Sequence, residues 1–167
     1  MVPSPVMDVE ALQTYFAAER LTGAILAIYG VVILGAVAYL HQTHTAFGWG
    51  LVVPLGLLGL GAVVGGSVLA IKTGPQLEAL LALAAPELLA QELPRMQKVN
   101  ANWVWLKSTW SVLIAVSLVV LWTVKRDGAT GVALAFLVAA SSAMVLDVFA
   151  ERRARVYTAA LERRAAE

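Results

Sequence analysis

Four apolar runs without a charged residue dominate the chain, at positions 21–40, 46–71, 108–124 and 128–146. A membrane-crossing helix needs about 20 mostly apolar residues. The first two runs reach that length, the third does so if its helix begins near Trp103, and the fourth nearly does so alone. Residues 73–102, between the second and third runs, are too polar to cross. The pattern therefore predicts an all-α membrane protein, a four-transmembrane-helix up-down bundle with helical cytoplasmic extensions. Its segments are an N-terminal helix over 1–20, spans at 21–40, 46–71, 103–124 and 128–150, a helical loop over 73–102, and a charged C-terminal helix over 151–167.

The polar segments are rich in helix formers. Ser4 is placed to cap a first helix with Pro5 at its first position, running through "VMDVEALQTYFAAER" into span one. The middle segment "GPQLEALLALAAPELLAQELPRMQKVNANW" is mostly Leu, Ala, Glu and Gln. Pro75, Pro86 and Pro94 divide it, which predicts one or two short helices and then an extension of span three from near Pro94. The tail "AERRARVYTAALERRAAE" continues span four, with Glu151 and Arg155 spaced for an i,i+4 pair. Short links near 41–45 and 125–127 make neighbouring spans antiparallel.

Composition agrees with this picture. The 167 residues are 60% hydrophobic and 14% charged, with mean hydropathy +0.79, whereas soluble domains carry about 25% charged residues. The length suits a single domain. Cysteine is absent, which excludes disulfides, thiolate metal sites and a thiol nucleophile. Charge distribution sets direction. One side would hold Arg20, Lys72, Arg95, Lys98, Lys107, Arg152, Arg153, Arg155, Arg163 and Arg164, and the other only Lys125 and Arg126. By the positive-inside rule both termini and the middle segment face the cytoplasm, giving a multi-pass protein of the inner (plasma) membrane. The start "MVPSPVMDVE" lacks a basic n-region, so span one is expected to stay as an anchor.

Small residues mark where helices could pack. Span two holds a Gly-xxx-Gly step, Gly61 to Gly65, and span four a stripe of Gly131, Ala135, Ala139 and Ser142. Either could serve contacts within the chain or a homo-oligomer. Polar residues within the spans are few. Lys107 lies about 6 Å inside Trp103 along the helix, and Asp147 lies at a similar depth in span four. Lys107 could snorkel to the headgroups beside the interfacial anchors Trp103, Trp105 and Trp110, or pair with Asp147 as a membrane-embedded charge pair. The remaining polar groups in the spans are hydroxyls and Tyr29 and Tyr39, so no ionisable side chain marks a midplane proton path.

Enzyme chemistry has little support. His41 and His44 are three apart but lack the further ligands a zinc site needs, so they are weak metal candidates. No nucleophile elbow, metalloprotease pair or dinucleotide fingerprint occurs. No catalytic residue, cofactor or nucleic-acid partner is expected. Arg152, Arg153 and Arg155, just beyond span four, could contact anionic lipid headgroups. The expected function is that of an accessory, regulatory or structural membrane subunit acting through helix–helix association. The partner would be a second copy or another membrane protein. A homo-oligomeric channel or small-solute transporter and an immunity-type protective protein are the alternatives.

Overall fold

Helix accounts for nearly all of the backbone in the computed structural model, which describes residues 6–166. The four long helices are α1 (Val6–Leu40), α2 (Ala46–Leu81), α3 (Ala85–Thr123) and α4 (Asp127–Ala165), with a 3-10 turn at His41–Thr43. No strand occurs among the described residues, and the arrangement is compatible with a four-helix bundle. The cap expected from Ser4 and Pro5 lies outside the described residues. Each helix is long and apolar enough to cross a membrane. At 35 to 39 residues they span roughly 52–58 Å, against a hydrocarbon layer of about 30 Å. Each therefore has length left over for packing outside such a layer.

The prolines do not divide the middle segment as expected. α2 runs unbroken through Pro54 and Pro75. α3 begins at Ala85, takes Pro86 into its first turn and continues through Pro94. The chain reverses only at Ala82, Leu83 and Ala84. A proline inside a helix costs about 3 kcal/mol, but packing next to Pro75 and Pro94 offsets it. Leu77 and Leu80 follow Pro75, Leu93 and Met96 flank Pro94, and all four join one apolar cluster. The other links are equally short. Thr45 caps α2, its hydroxyl accepting from the Gly48 amide at 3.0 Å, next to His44 with a left-handed φ of 49°. Val124 and Arg126 are extended between α3 and α4.

The two ends of the molecule are built differently. Where α1 begins and α4 ends, Leu12, Tyr15, Phe16, Leu80, Met96, Ala154, Tyr157 and Leu161 form a side-chain core drawn from all four helices. Phe16 and Met96 retain 1% and 0% of their exposure. This is the core end. Toward the far end, large apolar side chains such as Val32, Leu57, Val119 and Trp122 turn outward instead. There the helices meet through bare backbone. A Cβ on Gly66 would lie 2.5 Å from Ala27 N and from Gly23 O, and Gly50 and Gly131 press against α4 and α2 in the same way.

Candidate functional site

α4 carries Asp147, Glu151, Ala154, Thr158 and Leu161 at alternating four- and three-residue steps, which puts them on one helix face. α3 answers with Met96, Asn100, Trp103, Lys107 and Trp110. Polar pairs stack along the seam between them. The Trp110 indole donates to Asp147 Oδ2 at 2.7 Å. Lys107 Nζ donates to both oxygens of Glu151 at 2.9 and 3.0 Å, and Arg155 donates to the same carboxylate at 2.6 Å. Asn100 Nδ2 donates to the Thr158 hydroxyl at 2.8 Å, which donates in turn to Ala154 O.

Lys107 therefore pairs with Glu151 and not with Asp147, a correction of one helical turn. Side chains lean toward the N-terminus of their own helix. On α3 that lean points to the core end, and on α4 it points away from it. A long side chain on α3 thus meets an α4 residue lying nearer the core end than its own Cα. Glu151 is 7% exposed, and the Lys107 ammonium, followed by Arg155, holds its carboxyl below the usual carboxylate range despite burial.

A second polar group sits inside the core end. Glu92 is buried to 1% exposure and takes a two-pronged ion pair from Arg95, with Nε at 2.8 Å. The pair holds the Arg95 guanidinium firmly charged, and it lies 5.9 Å over the Phe16 ring. Tyr15 stacks on Tyr157 at 4.6 Å and donates to Glu19 at 2.9 Å. Burial first, then the neighbouring carboxylates Glu19 and Glu92 respectively, push both phenols well above their ordinary range. Asn100 Oδ1, Trp103 Nε1 and Tyr157 OH are buried without a protein hydrogen-bond partner among the described residues.

The other expected site residues are scattered. Gly131 and Ala135 are buried, and Ser142 accepts from the Tyr29 hydroxyl at 3.0 Å, with Ala139 half-buried beside them. Gly61 and Gly65 face no other helix, because a Cβ at either would meet nothing within 4 Å. The tryptophan set divides. Trp105 is 70% exposed, whereas Trp103 packs on the core and Trp110 is held by Asp147. The face shared by Trp103, Lys107 and Trp110 is thus a contact between helices. Arg152, Arg153 and Arg155 also part company: Arg155 belongs to Glu151, and Arg153 donates to Thr22 at 2.7 Å. His41 stacks edge-on against Trp49 at 4.9 Å, with His44 5.8 Å away. Among the described residues no three His, Asp or Glu cluster as metal ligands.

Comparison of the chain with protein-family models, curated proteins and solved structures finds no match in any of the three.

Sequence reasoning missed Glu92, Arg95, Tyr15 and Tyr157 because they lie in segments read as polar extensions. The signal was present in the four-three spacing of α4 from Asp147 to Leu161. That period runs past the predicted membrane boundary and marks one continuous packing face.

Proposed function

We propose that the chain is a multi-pass inner-membrane protein, an up-down bundle of four spans with both termini in the cytoplasm. It acts as an accessory or structural subunit by lateral helix–helix association. The carrying observation is the outward face of α2. Gly61 and Gly65 lie there with open space over them, between Leu57, Leu60, Val64 and Val68, all of them exposed. In lipid, where burial of apolar surface drives little, helices associate through such small-xxx-small steps because backbones can approach closely. The charged groups of the α3–α4 seam support the same reading. Lys107 of α3 is engaged by Glu151 of α4, an ion pair that ties the two helices together, while Arg155 and Arg95 are engaged within their own helices by Glu151 and Glu92.

Native mass spectrometry and in-membrane cross-linking test this. The expected result is a defined complex, with a second copy or one stoichiometric membrane partner, that is lost in Gly61→Leu/Gly65→Leu while the helical content stays. A solitary chain in the bilayer, or a complex indifferent to that change, would overturn it. Terminal tags labelled only after the cells are opened test the orientation.

A further inference from the structure

α1 and α4 part on one side of the core end, leaving a groove of about 440 Å³ between them. Its floor is the buried pair Tyr15 and Tyr157 flanked by half-buried Ala11, Ala18 and Ala160, and its rim carries Arg152, Arg153 and Arg163 against a single carboxylate, Glu10. Two of the arginines are held in place. Arg153 is tied to Thr22, whose hydroxyl donates to Ala18 O at 2.8 Å. Arg163 Nε donates to Ala159 O at 3.2 Å. The terminal nitrogens of Arg163, and those of Arg153 beyond the one bonded to Thr22, remain as planar donors suited to a phosphate.

We infer that this groove binds the phosphate-bearing headgroup of an anionic phospholipid from the cytoplasmic leaflet. The inference rests on the membrane reading above, which places Ala18, Arg152 and Arg153 just beyond the ends of spans one and four. The groove thus opens at headgroup level and extends away from the membrane. It runs from Ala18 to Glu10 along α1, roughly 12 Å at 1.5 Å per residue. An arginine rim opposed by one carboxylate complements a phosphate and disfavours a cationic occupant. A glycerophosphate headgroup fits. Arg155 is not part of the site, since Glu151 already engages it.

The test uses the purified full chain in neutral detergent, titrated with short-chain phosphatidylglycerol, phosphatidylcholine or inorganic phosphate. Native mass spectrometry counts the bound lipid. Saturable binding of one phosphatidylglycerol is expected, with affinity reduced about tenfold or more in Arg153→Gln and less in Arg163→Gln, at a position about 15 Å further along α4 from the headgroup level. Arg155→Gln should leave the affinity unchanged. Ala160→Phe, which fills the groove and leaves every charge in place, should also abolish binding. Circular dichroism checks that each variant is folded. Equal binding of phosphatidylcholine, full competition by inorganic phosphate, or normal binding by the folded Ala160→Phe chain would overturn the proposal. Carbonate extraction of cell membranes separates the two readings. A chain that washes off refutes membrane insertion, whereas one that stays but ignores phosphatidylglycerol refutes only the headgroup site.

Discussion

Glu151 is the residue on which the α3–α4 seam turns, because two cations converge on one nearly buried carboxylate. Breaking a fully buried ion pair costs about 3–5 kcal/mol. Lys107 is one-third and Arg155 two-thirds exposed, so both cations reach solvent when the pair is broken, and Lys107→Met and Glu151→Ala should each cost less, about 1–2 kcal/mol. The swap Lys107→Glu with Glu151→Lys should recover part of the loss, and Lys107→Asp with Asp147→Lys should recover none; thermal unfolding in detergent reads both. Acid should weaken the same contact. The folded carboxyl titrates below its ordinary value of 4.5, so its stabilisation is present above that pH and is lost as pH falls through the lower folded value. Unfolding of the native chain should steepen below about pH 4.5, and in Glu151→Gln that part of the pH dependence should be missing. That Lys107 sits at the edge of an apolar run, placed either to snorkel or to pair with a carboxylate on span four, was legible in the sequence. Which carboxylate it chose was not. Depth along the helix was readable, but the lean of side chains in opposite directions on α3 and α4 moves the meeting point by a turn.

Among the elements, α2 shows how one residue type can serve opposite purposes on two faces of a helix. Gly66 is buried against α1, and any Cβ there collides with the backbone at Ala27 and Gly23. Backbone cannot move aside as a flexible side chain would, so Gly66→Ala should cost about 1–3 kcal/mol, in the range of core overpacking. Gly61→Ala meets open space and should be neutral or gain up to about 1 kcal/mol from helix propensity. Unfolding of both variants as solitary chains in detergent checks the contrast, and equal effects would refute the assignment of faces. Composition pointed to Gly61 and Gly65 because their spacing is a known packing step. The glycines that do pack within the chain, such as Gly23 with Gly66, lie on different helices, so no local spacing reveals them. The prolines misled for a related reason. Pro75 and Pro94 break helices by a local rule, and here Leu77 and Leu80 after the first and Leu93 and Met96 around the second pack into the core and override it.

The whole molecule exposes 10400 Å², against roughly 8000 Å² for a compact soluble chain of 17.7 kDa by the usual size scaling. Much of what it exposes is large and apolar, on faces where soluble monomers rarely show more than a few hundred Å² in one patch. Water is a poor solvent for that surface and hydrocarbon a good one. The tryptophans report the difference. Trp122 is 83% exposed and Trp105 70% exposed, while the indole nitrogen of Trp103 is buried on the core. Single-tryptophan chains reconstituted in vesicles should therefore separate. Lipids brominated near the carbonyl end of the acyl chain should quench Trp122 and Trp105 strongly and Trp103 weakly. Acrylamide in the aqueous phase should quench none of them well. Strong acrylamide quenching of Trp122 with no effect of brominated lipid would mean that its face meets water. The four long helices would then be stabilised by some other apolar surface, such as neighbouring chains, and not by a bilayer.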